Sequence, residues 1–173
     1  MSIFDQLGSL LQQYTGGSAP ANEQDALNHF DTVAAQAPQS SVADAISAVF
    51  RSPQTGTFGQ NISQIFSQSN PDQRAGILGQ LLSAVGPGAL AGLGGLLGGG
   101  LLGGASSGQV SPQQAEQVSP AAVEQMANQA ERHDPSIIER AGSFYAQHPT
   151  LVKALGAGAA VLAMKHIADN RGA

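Results

Sequence analysis

The chain has 173 residues, of which 42% are hydrophobic and only 11% charged, with a net charge of −5 and no cysteine. A negative chain has no electrostatic drive toward a phosphate backbone, so nucleic acid is excluded as a partner class. The missing thiols exclude disulfides, thiolate metal sites and cysteine nucleophiles.

The length suits one domain or two small helical units. Charge well below the about 25% of an average soluble domain leaves little repulsion between copies, so a homo-oligomer is expected. Along the chain, apolar residues recur at helical spacing and no period-2 run appears. Ile3, Phe4, Leu7, Leu10, Leu11 and Tyr14 form a first stripe, closed by Gly16-Gly17. A second stripe is Ala26, Leu27, Phe30, Val33 and Ala34, stopped by Pro38. The third is Val42, Ala45, Ile46, Val49 and Phe50, with Ser40 or Ser41 expected as its cap. Phe58, Ile62, Ile65 and Phe66 make a short fourth.

Asn70-Pro71-Asp72-Gln73 carries a full helix-start signal: a capping side chain, proline in the first turn, an acid, and Gln at the box position. The helix it opens, through Ile77, Leu78, Leu81, Leu82 and Val85, is expected to end at Gly86-Pro87-Gly88. Ser111-Pro112, Ser119-Pro120 and Asp134-Pro135 repeat the same start. A last helix is expected after His148-Pro149, running through Leu151, Leu155, Val161 and Ile167.

Residues 75–115 hold no charged side chain, and Leu81 to Gly104 is almost wholly leucine and glycine. Three readings stay open for this segment. It is a linker, a membrane element of sufficient length for a span, or a packed element in which glycines set the backbone distance and leucines fill the space. The third uses both residue types. Self-association is therefore assigned to Leu81, Leu82, Leu90, Leu93, Leu96, Leu97, Leu101 and Leu102.

Reactive chemistry is not advertised. No GK[ST] follows a glycine run, and none of the four histidines stands in a metal-binding pattern. No GxSxG elbow occurs, and the carboxylates are scattered. No enzyme activity, cofactor, metal or small-molecule substrate is expected. Acids Asp5, Glu23, Asp25, Asp31 and Asp44 gather in the first 50 residues, and five of seven bases in the last 42, beginning at Arg132. This asymmetry marks either solvated faces or the docking of an acidic part on a basic one. Phe144 and Tyr145, beside His148-Pro149, serve either as a staple between two helices or as a partner anchor.

The opening Met1-Ser2-Ile3-Phe4-Asp5-Gln6-Leu7, the Leu/Gly-rich middle and the capped helices resemble the YidB-like group of small uncharacterised bacterial helical proteins. The resemblance implies a small bacterial α-helical domain without an established activity, so it transfers no functional residue. The expected fold is all-α, about eight short helices in two units, 1–85 and 109–173, joined by the Gly/Leu-rich segment 86–108. The expected role is a non-enzymatic self-associating protein of the cytoplasm, there being no basic leader. The alternative is a membrane-associated protein using the same segment.

Overall fold

The computed structural model describes residues 3–15, 22–93 and 109–171. Within them the chain is all α, with ten helices and no strand. They are α1 (Ile3–Thr15), α2 (Glu23–Gln36), α3 (Gln39–Arg51), α4 (Phe58–Gln68) and α5 (Pro71–Leu93). After them come α6 (Pro112–Glu116), α7 (Pro120–His133), α8 (Ile137–Ala146), α9 (Pro149–Val152), a 3-10 turn (Lys153–Leu155) and α10 (Ala157–Arg171).

Side-chain caps explain where several of the helices begin. Asn70 Oδ1 accepts from the Gln73 N–H at 2.9 Å, and the Gln73 side chain accepts from the Asn70 N–H at 3.1 Å. Thr57 and Gln60 make the same reciprocal pair at the start of α4, as do Ser111 and Gln114 at α6. Each box satisfies two backbone donors that a bare helix end would leave open. Asn22 caps α2 from outside, accepting from Gln24 N–H, with Glu23 and Asp25 in the first turn complementing the dipole.

Three boundaries differ from the sequence reading. Helix α3 starts directly after Pro38 with no side-chain cap, so Ser40 and Ser41 fall inside its first turn. Helix α5 does not end at Gly86; it runs through Pro87 to Leu93. Pro87 lacks a backbone N–H, so one helical hydrogen bond is missing there. The expected last helix is two, because Gly156 turns to φ +85°, a conformation that a side chain opposes, and α10 begins after it.

Contacts divide the chain into two compact units that are not successive in sequence. Unit 1 is Met1–Thr55 with Gly142–Ala173, and unit 2 is Gly56–Ala141. The division into 1–85 and 109–173 drawn from the sequence therefore differs from the contact pattern, which takes α4 and α5 away from the first segment. An amphipathic stripe says that a helix needs a partner, not which one.

In unit 1, α10 packs against α1, α2 and α3, and α9 against α2. The core joins Phe30 and Val33 of α2 with Ile46, Val49 and Phe50 of α3, and Ala159, Ala160, Ala163, Met164 and Ile167 of α10. Phe30, fully buried, contributes roughly 1.5–3 kcal/mol of transfer free energy. Gly142 meets α3 so closely that a Cβ there would lie 2.6 Å from the Ala43 carbonyl oxygen and overlap Ser47 Oγ.

In unit 2, α4 lies along α7, and α5 packs on α6 and α7. Phe58, Ile62, Ile65 and Phe66 of α4 and Ile77, Leu78, Leu81, Leu82 and Val85 of α5 are buried, with Val123, Met126, Ala127 and Ala130 of α7. Gly59 permits the α4–α7 approach, since a Cβ there would stand 2.6 Å from the Glu124 carbonyl oxygen. One turn on, Ser63 Oγ donates to the Pro120 carbonyl at 2.9 Å.

Candidate functional site

Unit 1 holds two polar ties between separate elements. Tyr14 on α1 hydrogen-bonds His29 Nδ1 on α2 at 3.0 Å, ring edge to face. Burial, followed by the nearby Asp25 carboxylate, raises the Tyr14 phenol above its ordinary value. Two residues past His29, Asp31 Oδ2 pairs with Lys153 Nζ of the 3-10 turn. The other oxygen, Asp31 Oδ1, is buried without a hydrogen-bond partner, a cost of about 1–3 kcal/mol that an ion pair about one-third exposed offsets only in part. The pair joins an N-terminal acid to a C-terminal base within unit 1.

A cleft of about 200 Å³ opens between α3 and α10, lined by Ala48, Ser52, Leu162, Lys165, His166 and Asp169. It is smaller than the roughly 300–1,000 Å³ of ordinary small-molecule sites. Two of its polar groups are held locally. Ser52 Oγ accepts from the Gln54 N–H at 3.3 Å in the turn that ends α3, and His166 Nε2 is 3.1 Å from Asn170 Nδ2 one turn along its own helix. A nucleophile needs an adjacent base, and the base an orienting partner. Ser52 and His166 are engaged instead with Gln54 and Asn170. Among the described residues, no three His, Asp or Glu side chains converge to hold a metal ion.

The residues named from sequence fall into three sets. Leu81 and Leu82 are 2% and 5% exposed and belong to the unit 2 core, so their apolar surface is already used within the chain. Leu90 and Leu93 lie on the last turns of α5. Leu96, Leu97, Leu101 and Leu102 lie outside the described residues.

Tyr145 is 1% exposed, its ring 5.7 Å from Phe50 and 5.3 Å from Phe144. Phe144 is half-buried and also touches His148, with ring centroids 5.1 Å apart. An anchor for a partner would thus be presented by Phe144, while Tyr145 is held inside unit 1. Burial drives the Tyr145 phenol far above its ordinary range.

Arg74, which precedes the uncharged run, is committed to the end of α4. Its Nε donates to the Phe66 carbonyl and its Nη2 to the Ser67 carbonyl, both at 3.0 Å, and the guanidinium stacks over the Phe66 ring. Sequence reasoning missed the Tyr14–His29 and Asp31–Lys153 contacts. The second spans more than a hundred residues, and only the charge asymmetry hinted at it.

No protein-family model, curated protein or solved structure matches this chain. No helix among the described residues is long and apolar enough to cross a membrane.

Proposed function

We propose that this chain is a non-enzymatic assembly protein that self-associates through its Gly/Leu-rich segment beyond Val85. The observation that carries the reading is the run from residue 75 to 115 without a single charged side chain. Its part up to Val85 is consumed in the unit 2 core. The leucines that follow, Leu90, Leu93, Leu96, Leu97, Leu101 and Leu102, continue the same chemistry. Contiguous apolar surface of that kind is stable in water only when covered, and low overall charge lets copies of the chain approach. A cytoplasmic setting, on the cysteine-free composition, and kinship with the YidB-like group, on Met1–Leu7 and the Leu/Gly middle, belong to the same proposal.

Light scattering on detergent-free protein tests it. A discrete oligomer is expected, reverting to monomer when Leu96, Leu97, Leu101 and Leu102 are changed to alanine, with helical circular dichroism largely kept. An unchanged mass would refute the reading. Flotation of the protein with liposomes would transfer the segment to a lipid surface instead.

A further inference from the structure

The two units draw their helices from the chain in a reciprocal pattern. The later helices of the first half, α4 and α5, pack on α6 and α7 of the second half. The last helix of the second half, α10, packs on α2 and α3 of the first. The buried positions repeat with the same spacing. Val42, Ala45, Ile46 and Val49 of α3 correspond to Val123, Met126, Ala127 and Ala130 of α7. Ile77, Leu78, Leu81, Leu82 and Val85 of α5 correspond to Ala159, Ala160, Ala163, Met164 and Ile167 of α10. Phe58, Gly59 and Ile62 of α4 correspond to Ala141, Gly142 and Tyr145 of α8, all buried.

The close approaches repeat as well. The shift that sets Val42 on Val123 also sets Ala43 and Ser47 on Glu124 and Asn128. Those are the residues that a Cβ on Gly142 of α8 and on Gly59 of α4, respectively, would strike. Amphipathic spacing alone recurs in many helices. Here the order of elements, the packing partners and the two glycine crossings agree together.

From this pattern we infer that the chain is a tandem duplication whose repeats complete one another, and that a second copy of the chain can supply the completing half. In unit 1 the exchangeable element is the arm from Gly142 onward, which covers α2 and α3. The arm and the helices it covers are separated by the whole of unit 2 in sequence. Since every copy carries both halves, the arm of one chain fits the α2–α3 surface of another with the same contacts, an exchanged dimer of the kind that costs little new interaction. Closure within one chain competes with an effective concentration on the order of millimolar, so exchange is favoured when chains refold together at high concentration. The inference does not rest on the Gly/Leu reading.

The cysteine-free sequence gives a clean test in the full chain. One chain carries Asp31→Cys and a second Lys153→Cys, the positions of the ion pair between α2 and the arm. The two are unfolded, mixed, refolded together at high concentration and treated with a short bis-maleimide. A cross-linked heterodimer that grows with refolding concentration is expected, with little dimer when either variant is refolded alone. A single chain carrying both substitutions is expected to link within itself at high dilution.

Absence of heterodimer while that double variant links internally would overturn the inference, and so would equal dimer from either variant alone. Failure of the double variant to link would refute the contact on which the inference depends. Ala48→Cys with Lys165→Cys, across the α3–α10 cleft, repeats the experiment should the first pair impair folding. Repeating it with Leu96, Leu97, Leu101 and Leu102 changed to alanine separates the two routes. Exchange keeps the cross-link there, whereas association through the Gly/Leu segment loses it.

Discussion

In unit 2 the helix α5 buries Ile77, Leu78, Leu81, Leu82 and Val85, whereas in unit 1 the corresponding positions of α10 are Ala159, Ala160, Ala163, Met164 and Ile167. Small side chains bury less apolar area per position, at roughly 25 cal/mol per Å². Unit 1 makes up the difference with rings, namely Phe30, Phe50, Tyr14 and Tyr145. It adds the Tyr14–His29 hydrogen bond and the Asp31–Lys153 pair between elements distant in sequence. Unit 2 relies on that aliphatic volume, on the two rings of Phe58 and Phe66, and on capping boxes at Thr57, Asn70 and Ser111. The contrast teaches that one helical plan can be stabilised mainly by volume or by rings and polar ties. The two solutions should fail in different ways.

The largest expected effect is on volume. Leu78→Ala in unit 2 should cost about 2–5 kcal/mol, while Ala160→Gly at the corresponding place in unit 1 should cost roughly 1–2 kcal/mol. Urea denaturation of both variants checks this, and equal losses would break the contrast.

Next come the helix crossings. Gly59→Ala and Gly142→Ala each push a methyl against a backbone carbonyl and should each cost about 1–3 kcal/mol. Gly158 has open space around the position of a Cβ, so Gly158→Ala should stabilise by about 0.5–1 kcal/mol. A neutral Gly59→Ala would mean that α4 and α7 are further apart than described.

Titration separates the units at alkaline pH. The chain's two tyrosines, Tyr14 and Tyr145, both lie in unit 1, and burial raises both phenols above 10.0. A folded-state value raised above the unfolded one gives stability that is complete below pH 10 and lost as pH rises. For Tyr145 the loss approaches about 1.4 kcal/mol per pH unit until the folded phenol ionises. Tyr145→Phe should flatten that alkaline limb, and the tyrosinate absorbance of Tyr145 should appear only with unfolding. A smaller effect in unit 1 is Tyr14→Phe, which removes one hydrogen bond and should cost about 0.5–1.5 kcal/mol. Thermal melts of the variant, compared with wild type, measure it.

Much of the fold was legible in the sequence because its signals are local. The Asn70–Gln73 box, the prolines at 112 and 120 and the stripes on α2, α3 and α4 all follow from neighbours within a few residues. The run through Pro87 was not legible, since Gly-Pro-Gly locally opposes a helix. The interleaving of the units was hidden for a deeper reason. The stripe on α5 would fit a surface on α3 as readily as one on α7, and only the folded chain selects between them. The same limit applied to function. Leu81 and Leu82 look identical in sequence to the leucines that follow, yet they are buried in a core within their own chain.

Native-state hydrogen exchange, residue by residue, tests the interleaved organisation most directly. The account predicts that amides of α2, α3 and α10 lose protection in one cooperative opening and those of α4, α5 and α7 in another, with Leu78→Ala lowering only the second. If α2 to α5 instead open together and α7 to α10 form the other group, the chain is built from successive units and the account is wrong.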